Sequence, residues 1–232
     1  MNLYMFAGMV VFFLTFITLA YRFEKRMTWP YSDLQSQPQF EDPSGYGLRR
    51  VAEATQAGFT LLGWSHDLKG GIYRVNYALL ISLDRTILAV VGAGKMGKLP
   101  LQATWLHSPT ADGRSFYSTD RQSGVQIDLS GNWTSQLVPS PTFFRVWQRH
   151  KEWFQEQGVI AKPFTPGREL AEFRELRVLH FSFMERAGLI DYVDPLRTQF
   201  RFTTVGATKT AVWSYFLGLS RGVTEGRFPR SA

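Results

Sequence analysis

Residues 87–98 read ILAVVGAGKMGK, an apolar run entering Gly92-Ala93-Gly94-Lys95-Met96-Gly97. In a dinucleotide-binding βαβ unit such glycines open a tight turn into a helix, whose N-terminal amides hold a pyrophosphate. A nucleotide site therefore requires a helix after Gly97. The chain continues instead as KLPLQATWLHSPTADG, where Pro100 and Pro109 bracket a run with Leu101, Ala103 and Trp105 at alternate positions. A period of two is the pattern of a strand, and proline does not enter a helix interior. The ribose-binding acid is missing as well, because Asp112 belongs to an Asp-Gly turn. No Gly-Lys-Ser/Thr stands at phosphate-loop spacing. Protein kinases do set G-x-G-x-x-G between antiparallel strands, but Thr104 stands where their lysine is wanted and the chain has no H-R-D or D-F-G. Residues 87–98 are expected to form a hairpin with a flexible tip, its glycines permitting positive φ. Lys95, Met96 and Lys98 on that tip are candidate contacts for a partner or a lipid headgroup.

Working outward, FTLLGWS (59–65), IYRVNYALLIS (72–82), TILAVVG (86–92), LQATWLH (101–107), RSFYST (114–119) and VQIDL (125–129) all have strand character. Short turns at 69–71, 83–85, 111–113 and 122–124 join them, with no room for helices. This spacing predicts an antiparallel meander. Ile72, Arg74, Asn76 and Ala78 alternate with Tyr73, Val75, Tyr77 and Leu79, so one face is expected to be wetter than the other.

Helical periodicity frames the strands. GLRRVAEATQAGF suggests a short helix with Leu48, Val51, Ala52 and Thr55 on its buried face, closed by Gly58. Phe143, Trp147, His150 and Phe154 make one apolar stripe on a second helix ending near Gly158. A third spans about 168–187, with Leu170, Phe173, Leu176, His180, Phe183 and Ala187 inward and Glu169, Glu172 and Glu175 in its first turns, where the helix dipole favours acids. Residues 207–222 are a further helical candidate.

Residues 3–21, LYMFAGMVVFFLTFITLAY, contain no charge. As a helix they would span about 30 Å, the thickness of a bilayer's hydrocarbon core. A cleaved signal peptide fits less well: no basic residue precedes the run, the run exceeds an ordinary h-region, and no small-x-small site follows. Arg22, Lys25 and Arg26 lie on the C-terminal side, so the N-terminus is expected outside and the body of the chain in the cytoplasm. Tyr4, Tyr21, Arg22, Lys25, Arg26 and Trp29 are the expected membrane-interface residues.

The fold class expected is therefore α+β: a single N-terminal transmembrane helix, then one domain in which a meander of about six strands packs against two or three helices. Residues 1–26 form the anchor and its basic flank, 27–45 a linker or extended arm, 46–222 the domain and 223–232 a C-terminal tail.

Composition limits the chemistry. The absence of cysteine removes disulfides, thiolate metal ligands and cysteine nucleophiles. His66, His107, His150 and His180 lack metal-ligand spacing, and His150 and His180 fall on apolar helix faces, as buried histidines with satisfied nitrogens do. Asp112, Asp120 and Asp128 lie at turns and strand ends and read as solvated turn residues. No catalytic, cofactor or metal residue is assigned. The net charge of +7 suggests an anionic partner. From Pro195 onward Arg197, Arg201, Lys209, Arg221, Arg227 and Arg230 oppose only Glu225 among aromatic residues. For a tethered chain, anionic lipid or a protein partner ranks above single-stranded nucleic acid. The expected function is a non-enzymatic accessory, structural or assembly subunit of a larger membrane complex. The alternative is a membrane-tethered ligand-binding or enzymatic domain with a pocket between sheet and helices.

Overall fold

The computed structural model describes residues 3–67, 73–96, 99–121 and 133–212. They fall into two compact units, one drawn from residues 1–28 and 181–232 and the other from residues 29–180.

In the first unit, α1 (Leu3–Phe23) is an uninterrupted helix followed directly by β1 (Arg26–Met27). Among the described residues no helix is long and apolar enough to cross a membrane, so a span by α1 rests on the amino-acid sequence alone. One stripe of α1 exposes Met5, Met9, Phe12, Phe16, Leu19 and Phe23, residues that recur at the three- and four-residue spacing of a single helix face.

The second unit is a six-stranded sheet between two helical layers. α2 (Tyr46–Gln56) precedes β2 (Thr60–His66), β3 (Tyr73–Ile81), β4 (Leu88–Met96), β5 (Leu99–Pro109), β6 (Ser115–Thr119) and β7 (Trp133–Leu137), which lie side by side in chain order. The pairs from β2 to β6 are antiparallel, as the alternation and short turns predict. β7 departs from the meander by running parallel to β6, so the sheet is mixed. A parallel pair needs a crossover of a dozen or so residues, and residues 120–132 have that length. The expected strand 125–129 lies outside the described residues.

The glycine-rich stretch is corrected more sharply. β4 runs straight through Gly92, Ala93 and Gly94 to Met96, so these residues are sheet interior, and only 97–98 separate β4 from β5. Neither Gly92 nor Gly94 has positive φ. A Cβ on Gly92 would stand 2.6 Å from the Trp105 ring, and one on Gly94 would collide with the Arg74 carbonyl and stand 2.7 Å from the Val75 Cα. Both glycines serve close approach rather than turning. Lys95 is exposed within the strand; Gly97 and Lys98 lie outside the described residues.

Both faces of the sheet are covered, so among the described residues the expected wet face is not seen. Ala78, Leu80, Ala89, Val91, Ala93 and Leu106 pack with Tyr46, Ala54, Phe59, Phe143 and Val146 beneath α2 and α3 (Phe143–Glu156). On the opposite face Leu79, Ile81, Leu88 and Val90 pack with Tyr31, Phe164 and Phe173, the last on α4 (Glu169–Arg186). The acids expected at the start of α4 are in place as Glu169 and Glu172. The inward face of α2 differs from expectation: it buries Tyr46, Gly47, Arg50 and Ala54 while Leu48 is exposed. α4 turns Phe173, His180, Leu170 and Leu176 inward as expected and adds the buried Glu169 and Arg177, while Ala187, just past its end, is exposed. Gly58 closes α2 with φ 90, as expected.

The stretch read as a linker is docked along β2. Tyr31 bridges Asp67 and Gln35 bridges Trp64, with Gln35–Trp64 backbone bonds of 2.7 and 2.8 Å. The Asn76 amide grips the same strap: its oxygen accepts from the Gln39 and Phe40 amides at 2.9 Å, and its nitrogen donates to the Phe40 carbonyl at 2.6 Å.

The first unit is completed by β8 (Ile190–Tyr192) and β9 (Gln199–Phe202), which form an antiparallel three-stranded sheet with β1 in the order β1-β9-β8. Phe181, Phe200 and Phe202 pack beside it, and Tyr21 meets the Phe202 ring edge-on at 6.0 Å. Residues 204–212 are helical, capped where the Gly206 amide donates to the Thr203 hydroxyl at 3.1 Å. The rest of the helical candidate at 207–222 lies outside the described residues.

Candidate functional site

The expected interface residues are only partly brought together. Arg26 pairs with Glu24 at 2.6 Å and lies over the rings of Tyr21 and Phe202 at 5.0 and 5.2 Å. Arg22 is in the last turn of α1 and Lys25 is exposed. The Trp29 ring is committed elsewhere, edge-on to Tyr31 at 5.0 Å and to Phe173 at 5.7 Å. Arg197 pairs with Glu185 at 3.2 Å and lies over Tyr192; Arg201 stands 4.0 Å from Asp191. The side chains of Tyr4 and Met96, and the whole of Arg221, Arg227 and Arg230, fall outside the described residues.

Three polar clusters missing from the expected set lie inside the second unit. The first corrects the reading of Asp120 as a solvated turn residue. Asp120 is buried; its carboxylate accepts from Arg50 Nη2 at 2.9 Å, the Tyr46 hydroxyl at 2.8 Å and the Thr104 amide at 2.8 Å. Arg50 also donates to Glu53 at 3.0 Å and to the Ser140 carbonyl at 2.9 Å. Glu53 in turn accepts from the Phe143 amide at 2.6 Å, so a side chain of α2 caps α3. Burial, then the Asp120 charge, pushes the Tyr46 phenol up to about 12. Every oxygen of Asp120 is engaged, and the cluster ties α2, α3, β5 and β6 together. Asp112 behaves as the turn residue it was read to be: hydrogen bonds from Arg114 and Thr110 bring its pKa down to about 2.

The second cluster centres on His150. Ser108 meets its Nε2 at 2.9 Å and Ser118 its Nδ1 at 2.6 Å, while Gln136 donates to the Ser118 hydroxyl at 2.8 Å. This is the satisfied core histidine that the apolar stripe of α3 predicts. Burial alone brings its pKa down to about 3. The serine and histidine types are those of a hydrolase, but all three residues are buried and engaged with one another.

The third cluster lies between the sheet and α4. His107 on β5 packs at 4.7 Å from both Tyr117 and Phe173 and at 5.6 Å from Trp133, and Trp133 stacks on His180 at 4.5 Å. Arg177 is buried among them, and its charge acts on Tyr31, His107, Tyr117 and His180. Burial, then Arg177, holds His107 well below the usual histidine range and brings His180 to about 3. Among the described residues neither His107 Nδ1 nor the Ser115 hydroxyl, both buried, has a hydrogen-bond partner. This gathering was legible only in part. The period-two pattern of 101–107 puts His107 on the same strand face as Trp105, but nothing in the sequence joins it to Arg177. No group of three or more metal-ligating side chains occurs among the described residues.

Compared with known proteins, the chain matches no family model, no curated protein and no solved structure.

Proposed function

We propose that this chain is a membrane-anchored, non-enzymatic accessory or assembly subunit of a larger membrane complex. In this reading α1 is a single span, its N-terminus faces outside and the remainder lies in the cytoplasm. The observation that carries the reading is the stripe Met5, Met9, Phe12, Phe16, Leu19 and Phe23, six large apolar side chains exposed along one helix. A soluble monomer rarely leaves so much contiguous apolar surface uncovered, and lipid or an apolar partner helix would cover it. The basic flank Arg22, Lys25 and Arg26 adds charge attraction to anionic headgroups. Lys95 is an exposed cation that an acidic partner face could meet, and Arg197 and Arg201, exposed but beside Glu185 and Asp191, could exchange those partners for it.

Extraction of the full chain in mild detergent, followed by native electrophoresis and mass spectrometry, tests the reading. A stable assembly with other membrane proteins is expected, and a solitary monomer would sink it. Protease protection tests the topology separately: digestion of the body only from the outer side would overturn the cytoplasmic placement. The alternative, a membrane-tethered ligand-binding or enzymatic domain, draws on a different feature, the orphan polar atoms beneath α4.

A further inference from the structure

We propose that α1 pairs with α1 of a second copy of this chain, in a parallel, left-handed packing of two helices along one seam. The seam is the exposed stripe. Met5, Phe12 and Leu19 recur at seven-residue intervals, and so do Met9, Phe16 and Phe23, with alternating steps of four and three between the two sets. That is the a/d pattern of a coiled coil, carried from Met5 to the last residue of the helix. A face that meets only lipid needs no such register. A strict period of seven drifts about 20° per heptad on a straight helix, and so winds two helices left-handedly about each other. The seam also points away from the sheet of its own unit. Tyr21 meets Phe202, and Val10, Leu14 and Ile17, on the Tyr21 face, are half-buried. At about 100° per residue, Leu19 and Phe23 lie roughly 200° around the helix from Tyr21, and both are exposed.

Gly8 supplies an independent observation. It stands inside α1 without positive φ, and a Cβ there would meet nothing within 4 Å. Glycine is less favourable than alanine in a helix interior, and no contact among the described residues requires it at this position. Gly8 and Thr15, themselves seven residues apart, flank the seam, and small residues there let two helix backbones approach closely. The Thr15 hydroxyl donates to the Val11 carbonyl at 2.8 Å, so the flank calls for no polar partner. Large side chains packing beside small ones hold helices together where the surroundings are as apolar as the helices themselves. The occupant that fits is therefore a helix with the same repeat, and a second copy presents it by symmetry. Copies anchored with one topology pair in parallel about a two-fold axis, and each seam residue then meets its own counterpart. That orientation rests on the membrane-anchor reading, whereas the seam does not.

The chain has no cysteine, so single cysteines read the packing directly. Met9→Cys, Phe12→Cys, Phe16→Cys and Leu19→Cys sample the seam, and Val10→Cys, Leu14→Cys and Ile17→Cys the opposite face. Each full chain is reconstituted in phosphatidylcholine vesicles at high lipid excess, oxidised and run on a non-reducing gel. Disulfide-linked dimer is expected to form several-fold faster at the seam positions than on the opposite face. Gly8→Leu, combined with Phe12→Cys, should slow linkage several-fold while leaving the helix content unchanged. Equal rates all around the helix, as chance collision in lipid gives, overturn the pairing, and so does linkage confined to the opposite face. Linkage that appears only in a mixture of Met9→Cys and Leu19→Cys chains overturns the parallel arrangement. The cysteine scan decides even where Gly8→Leu fails to insert. The outcome is distinguishable from that of the accessory-subunit reading. A linked dimer purified with no other protein sinks that reading and leaves the pairing standing. If alkaline washing strips the chain from vesicles, the anchor falls, and the same scan in solution still reads the seam.

Discussion

Arg49 and Arg50 are neighbours in sequence and opposites in the fold. Arg49 is exposed on α2, while Arg50 is 2% exposed and paired with the buried Asp120. A guanidinium is tolerated there because its terminal nitrogens find Asp120, Glu53 and the Ser140 carbonyl, and because it lies 5.1 Å from the Tyr46 ring. Removing Arg50 leaves the Asp120 charge buried with only neutral donors, the Tyr46 hydroxyl and the Thr104 amide. Arg50→Met is therefore expected to destabilise the second unit by about 3–5 kcal/mol, and the double change with Asp120→Leu by much less. Denaturant titration of Arg50→Met, Asp120→Leu and the double variant under one set of conditions checks this, and equal losses in the single and double variants would refute the coupling. Neither role could be read beforehand. Aspartate at a turn and arginine on a short helix are ordinarily solvated, and only the meeting of α2 with the end of β6 makes them a pair.

At the scale of the element, β4 shows what glycine does when a strand is covered on both faces. Gly94→Ala places a methyl against the Arg74 carbonyl of β3, where backbone cannot yield, whereas Gly92→Ala meets the ends of the Trp105 and Tyr77 rings. Gly94→Ala should cost about 1–3 kcal/mol and Gly92→Ala less, since side chains can shift. Chemical denaturation of the two variants checks the order, and an equal or reversed order would contradict the close-approach account. The strap supplies a second element-scale test. Asn76→Ala strips three hydrogen bonds from residues 39–40 and should free the strap locally, speeding proteolytic cleavage within 29–45 several-fold while the sheet stays intact. An unchanged digestion pattern would show that Tyr31 and Gln35 hold the strap without Asn76. Periodicity alone located β2 to β6, α3 and α4 close to their observed bounds. It misplaces the inward face of α2, because periodicity points the most apolar stripe inward and the buried Arg50–Asp120 pair lies on another face.

For the whole molecule, the three buried histidines make stability depend on pH. His150 and His180 take up protons only near pH 3 in the folded chain, and His107 is held low by burial and Arg177, while an unfolded histidine titrates at about 6.5. Between those values the unfolded state binds more protons, so stability is fully present above about pH 6.5 and falls as the pH drops toward 3. Each histidine contributes a slope of up to about 1.36 kcal/mol per pH unit in that window. Unfolding temperatures should hold level from pH 7.5 to about 6.5 and then fall toward pH 4.5, and His150→Gln should flatten the fall. A profile flat from pH 7 to 5 would contradict the burial of these rings.

What the sequence determined by itself was whatever depends on local spacing: the apolar, charge-free run 3–21 with its basic flank, the period-two strands and their tight turns, and the absence of a helix behind the glycines. Those features follow from rise per residue and side-chain alternation, which need no knowledge of neighbours. Tertiary structure decided the rest. It made β7 parallel, placed the glycines inside a strand, docked the strap on β2, buried Arg50 with Asp120 and set His107 and Tyr117 of the sheet against Phe173, Arg177 and His180 of α4. Each of these depends on groups far apart in the chain, whose burial is favourable only when both partners arrive together. That condition cannot be read from either partner's own surroundings in the sequence.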